Sequence, residues 1–160
     1  MRRAGQTGLH SVPPNRLRIT ARLVMATMLG LLLSTATVAT AHATDPIGVS
    51  SVVLSKQTVG GKDYIVTDIT IAPHGSTGWH WHRGEIYGIV RAGTLTHYMA
   101  DCNQDGVYQP GDPIMDPTGA DHVHLARNLG DIPDVLEVTY VDPAGAPTAD
   151  SAPNPGCDFS

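Results

Sequence analysis

From Tyr64 to Ile71 the chain alternates Ile65, Thr67, Ile69 and Ile71 against Tyr64, Val66, Asp68 and Thr70. That two-residue period predicts a strand with one face turned to a core. Val49–Thr58, rich in Val, Ser and Thr, predicts another strand before it, and Gly60-Gly61 a turn between the two. Pro73–Gly78 reads as a loop. Shorter strand-like runs follow at Ile86–Val90, Thr94–Met99, Pro113–Met115, His122–Arg127 and Val135–Val141. Asp101–Gly111 is polar and turn-rich, and no segment carries a helical apolar period. Residues 142–160 hold four prolines and read as an extended C-terminal tail. Seven or eight short strands predict an all-β fold, either a sandwich or a closed barrel.

Composition agrees with this reading. The 160 residues include 17 glycines and 12 prolines against only 5% aromatics, which argues against a helical bundle. Charge is unevenly placed. Five of the ten basic residues lie at or before Arg22, while all fifteen acidic residues lie at Asp45 or later. After Arg22 comes an uncharged run of 16 residues, Leu23–Val38, and then Ala39-Thr40-Ala41-His42-Ala43. A basic, then apolar, then small-residue layout is that of a secretory signal peptide, with A-x-A-like cleavage options after Ala41 or Ala43. The apolar run is short against the ~20 residues a membrane span needs. Residues 1–43 are therefore expected to be a signal peptide, and 44–160 a secreted or extracytoplasmic chain with no membrane span. That chain keeps five basic against fifteen acidic residues, a net charge of −10, which excludes nucleic acid as a partner. Its two cysteines, Cys102 and Cys157, predict one disulfide in an oxidising compartment, pinning the tail to the body.

Candidate chemistry lies in the histidines. Six of the eight fall between His74 and His124, four of them as the pairs His80-x-His82 and His122-x-His124. Residues i and i+2 of a strand share a face, so each pair can converge on one ion. Neutral imidazole suits Fe, Zn, Ni and Cu. A second pattern, Asp101, Asn103 and Asp105 followed by Gly106 and Asp112, has the oxygen spacing of a calcium loop. It lacks flanking helices, and Asp-Asn-Gly chemistry also makes ordinary turns.

Gly75, His80, His82 and Gly93 resemble the first motif of the cupin family, and Gly111-Asp112, Pro117, Gly119 and the His124…Asn128 spacing resemble the second. The likeness is closer to small secreted bacterial cupins, through Gly78-Trp79-His80-Trp81-His82, His124-Leu125-Ala126-Arg127-Asn128 and Pro155-Gly156-Cys157. The resemblance implies a small jelly-roll (double-stranded β-helix) barrel over residues 44–141, with a divalent transition metal (Fe, Mn, Zn, Ni or Cu) inside. His80, His82 and His124 are its implied ligands, with His122 as the alternative to His124. The family's glutamate falls at Ile86, and the nearest carboxylate is Glu85, one residue early. Glu85 reaches the metal only if a bulge at Arg83-Gly84 re-aims it. His97 either lines the pocket or is a hydrogen-bonded core residue. Trp79, Trp81 and Tyr87 are expected to face away and pack on the barrel wall. Two functions follow: a metal-dependent enzyme acting on a small molecule, such as an oxygenase or isomerase, or a non-catalytic extracytoplasmic module for a small molecule or metal. Either is compatible with a monomer or homodimer. A structural domain with relic histidines is the third reading.

Overall fold

The computed structural model describes residues 43–160. The expected signal peptide, all but Ala43, lies outside the described residues. The described residues form ten strands. β1 (Ile47–Val59) and β2 (Lys62–Ser76) form a long antiparallel hairpin. Its two-residue loop, Gly60-Gly61, has positive φ at both positions, a backbone that suits glycine and matches strand twist. β3 (His80–Trp81), β4 (Glu85–Ala92), β5 (Leu95–Met99), β6 (Gln104–Tyr108) and β7 (Pro113–Ile114) follow. β8 (His124–Asn128), β9 (Asp134–Pro143) and β10 (Asp150–Ser151) complete the chain. Among the described residues there is no helix.

All pairings are antiparallel. One half of the sheet runs β1-β2-β9-β4-β7 and the other β10-β3-β8-β5-β6. They join where the end of β2 pairs Ser76 with Arg127 of β8. The result is a nearly closed jelly-roll barrel.

The expected alternation fills its interior. Along β9, Asp134, Leu136, Val138, Tyr140 and Asp142 are buried and the residues between are half-buried. Ile65 and Ile71 of β2, Ile86 and Val90 of β4, Leu95, Ile114 and Ala126 complete the main core. Such packing, at ~25 cal/mol per Å² of apolar area removed from water, is what holds the two halves together.

Two segments differ from the sequence expectation. β6 lies within the stretch read as turns, because its residues pair with β5 and bury little. The tail is part of the fold. β9 runs through Pro143, past the expected boundary at 141, and β10 then pairs Asp150 with Trp81 and Ser151 with His80. Ala152 is buried with Trp79 and Leu125 in a second cluster on the outer wall. Phe159 stacks on Trp79 at 6.0 Å and lies 4.6 Å from Tyr98, with the Arg127 guanidinium 5.2 Å from its ring. Cys102 and Cys157 form the expected disulfide. Trp79, wholly buried here, packs as expected.

Candidate metal centre

His80 and His124 are direct cross-strand partners on β3 and β8, which sets their side chains on one face. His82 follows two residues on. The three rings form a tight triangle, with centroids 4.8 Å (His80–His82), 4.5 Å (His80–His124) and 5.0 Å (His82–His124) apart. A fourth ring, His97 of β5, sits 5.0 Å from His124.

Each ring is held the same way round. Nδ1 of His80 lies 2.8 Å from the Gly78 carbonyl, Nδ1 of His82 2.7 Å from the Thr148 carbonyl, and Nδ1 of His124 2.9 Å from the His122 carbonyl. Nδ1 of His97 lies 2.6 Å from Asp105 Oδ1. A carbonyl or carboxylate only accepts, so each Nδ1 carries the proton and donates it. In His80, His82 and His124, where the ring is neutral, Nε2 is left with a lone pair pointing into the barrel, the arrangement such outside acceptors impose on metal-ligating histidines. The buried Nε2 atoms of His97 and His124 have no hydrogen-bond partner among the described residues.

The electrostatics keep the three rings neutral. Burial foremost, and then the neighbouring imidazoles, lower His80 to about 4, His82 to about 3 and His124 to about 4. Neutral imidazole is the ligating form, and the orphaned nitrogens give an ion something to satisfy. The residues present therefore fit a divalent transition metal. Two trios have ligand atoms within 4.8 Å of one another: His80, His82 and His124, and His97, Asp116 and His124.

Asp116, on the loop between β7 and β8, had no motif to mark it. Its side chain is 14% exposed; Oδ1 lies 3.4 Å from His97 Nε2, and Oδ2 3.6 Å from His124 Nε2 and 4.0 Å from His82 Nε2. Burial pushes its carboxyl above the ordinary range.

Behind the histidines lies a cavity of about 60 Å³, lined by aliphatic side chains such as Ile69, Ile71, Leu136 and Val138, with Tyr140. In front, a cleft of about 240 Å³ opens between β1 and the segment before β10, lined by Val49, Val53, Thr67, Tyr140 and Thr148.

A family model for the cupin domain matches residues 67–139, well over half of the described chain. The chain belongs to the cupin superfamily. Among curated proteins, none matches this cupin significantly. Solved structures match in fold. An uncharacterised conserved protein with a double-stranded β-helix domain from Klebsiella pneumoniae has a TM-score of 0.52 at 23% identity, over 68% of this chain and 84% of its own. The polyketide cyclase RemF from Streptomyces resistomycificus has a TM-score of 0.56 at 19% identity, over 71% of this chain and 80% of its own. At these identities the likeness is one of fold.

Three of the candidate ion-site groups of this cupin lie apart from the histidine triangle. Glu85 is not brought to the centre: it opens β4 opposite Val141, and Ile86 rather than Glu85 falls on the buried face. It sits exposed on the outer face, where the Tyr87 hydroxyl donates to it at 2.9 Å, and Ile86 points inward instead. Gly84 is explained by close approach, since a Cβ there would meet the Val141 carbonyl and Asp142. The His122 ring also stays outside, with its side chain 40% exposed. It serves the site through its backbone, as the acceptor for His124.

The calcium pattern is dispersed. Asp101 accepts from the backbone and side-chain nitrogens of Asn103, both at 3.0 Å, in a local turn. Asp105 is engaged with His97, and Asp112 accepts from Gln109 N at 2.7 Å. Asp101, Asp105 and Asp112 each have a hydrogen-bond partner of their own, and Cys102 sits at the positive-φ corner of the loop.

Proposed function

We propose that this cupin is exported, binds one divalent transition metal through His80, His82 and His124, and acts on a small molecule held at that centre. The observation that carries the reading is the common tautomer. Three Nε2 lone pairs converge while every Nδ1 proton is committed to a fixed carbonyl. Three protein nitrogens leave positions on an ion open, the pattern of catalytic rather than structural sites. Such an ion, when bound, supplies a Lewis acid for an oxygen donor or acidifies a water.

The chain's own residues supply the rest. The aliphatic lining behind the centre accepts only a short apolar group and keeps bulk water out, while the wider cleft receives the body of the molecule. Tyr140 lines both spaces. Burial raises its hydroxyl well above the usual range, so Oη keeps its proton and can donate a hydrogen bond to an oxygen of the bound molecule. Export is supported by the basic–apolar–small layout before Thr44. The Thr44 backbone nitrogen donates to the Ala152 carbonyl at 3.0 Å, and its hydroxyl accepts from Trp79 N at 2.6 Å. A chain cut after Ala41 or Ala43 keeps both contacts.

The test is elemental analysis of protein purified from the medium or periplasm, with intact mass to read the N-terminus. Near one equivalent of transition metal on a chain starting at His42 or Thr44 is expected. A metal-free protein that takes up none on reconstitution would refute the reading. A loaded protein that retains an organic ligand unchanged would move it to the non-catalytic module.

A further inference from the structure

Resting on the metal reading above, we propose that Asp116 is the carboxylate ligand of this centre, reaching it from the β7–β8 loop in place of a strand glutamate. Three observations carry the inference. The first is a convergence of unpartnered groups. The Nδ1 atoms of His82, His97 and His124 are engaged with outside acceptors, so each ring turns its Nε2 toward Asp116. The Asp116 oxygens lie 3.4–4.0 Å from those nitrogens and receive no hydrogen bond among the described residues. A mostly buried carboxylate and the partnerless Nε2 atoms of His97 and His124 are satisfied together when a cation sits between them.

The second observation is that the β4 position for such a group is closed. Ile86 fills the inward site and Glu85 points to solvent.

The third is that the loop is built to deliver the side chain. At one end β7 pairs Ile114 with Gly88, beside the cavity. At the other, Gly119 N donates to the His82 carbonyl at 2.9 Å and His122 N to the Gly119 carbonyl at 3.0 Å. The loop is thereby tied to the backbone of one histidine ligand and to the residue that orients another, with Asp116 between its two anchors.

His124 decides how the two trios relate. Its Nε2 has one lone pair and cannot bind two ions, so the two trios share a single ion site at His124. Asp116 Oδ2, the oxygen nearer His124 and His82, would be the ligand atom, while Oδ1 lies beside His97, whose ring is held by Asp105.

The experiment is titration of the metal-free mature protein with Co²⁺ alone, reading affinity by competition with a chelator and the ligand set by visible absorption. Asp116→Ala, Asp116→Asn and Glu85→Gln are compared with wild type, with far-UV circular dichroism to show that each is folded. Both Asp116 variants should bind Co²⁺ at least ~10-fold more weakly with a shifted spectrum, and Glu85→Gln should match wild type. Should Asp116→Ala misfold, the near-isosteric Asp116→Asn alone carries the comparison. Wild-type affinity and spectrum in the Asp116 variants, or weakening in Glu85→Gln instead, would overturn the assignment while leaving the histidine centre standing. A wild type that binds no Co²⁺ would overturn the metal reading itself.

Discussion

Acidifying the metal-free protein from pH 7 to pH 5 should destabilise it steeply, because His82 and His124, which are buried, and the half-buried His80 are neutral in the fold. Their folded-state values, about 4 for His80, 3 for His82 and 4 for His124, lie below the 6.5 of an unfolded chain. Below pH 6.5 the unfolded state binds protons that the folded state refuses, so stability is full above that pH and falls as pH drops toward 4. At ~1.4 kcal/mol per pH unit, each histidine removes about 2 kcal/mol between pH 7 and 5, and three acting independently remove on the order of 5 kcal/mol. That is comparable with the whole stability of an ordinary domain. Asp116, Asp134 and Asp142 are raised by burial and work in the opposite sense, taking up protons in the folded state first. The histidine contribution is therefore isolated by difference. Urea unfolding of metal-free wild type and His82→Gln across this range should show the variant losing ~2 kcal/mol less. Equal slopes in the two proteins would refute the assignment of neutral, desolvated imidazoles.

Cys157→Ser opens a loop with a sequence separation of 55 and should cost about 4 kcal/mol in the chain-entropy picture, read as a lower urea midpoint. Because the same C-terminal segment supplies the Thr148 carbonyl to His82, the variant should also hold metal several-fold more weakly, measured by chelator competition. Gly93→Ala should destabilise by at least ~2 kcal/mol in thermal unfolding. Gly93 has φ +80, and its added Cβ would sit 2.7 Å from the Pro133 carbonyl oxygen.

The barrel was legible wherever one strand face is buried and the other is not. Ile65, Thr67, Ile69 and Ile71 alternate in the sequence because β2 has a core side, and β9 repeats the pattern. β6 has little buried face to betray it, and β3 and β10 are two residues long, below the reach of any period. The tail was read as extended because Pro143, Pro147, Pro153 and Pro155 break regular pairing. Its hold on the body comes instead from Ala152, Phe159 and the disulfide, contacts between residues far apart in sequence. In the centre, the His-x-His pairs marked His80, His82 and His124, and the spacing to Asn128 separated His124 from His122. Asn128 itself is buried, donating to the Ile71 and Ile132 carbonyls at 3.0 and 2.7 Å, a structural reason for that spacing. Asp116 and the Thr148 carbonyl carried no signal. One is a single acidic residue in a loop, and the other is a backbone atom whose position depends on how the tail returns to the barrel.

The central claim is tested most directly by metal content per chain in wild type and in the four single variants His80→Ala, His82→Ala, His124→Ala and His122→Ala, purified identically and analysed by mass spectrometry of the elements. The geometry predicts near one equivalent of a transition metal in wild type, most of it retained in His122→Ala, whose carbonyl survives the substitution, and little or none in the other three. Retention in His124→Ala with loss in His122→Ala would move the third ligand, and full occupancy in all four variants would contradict a histidine metal centre.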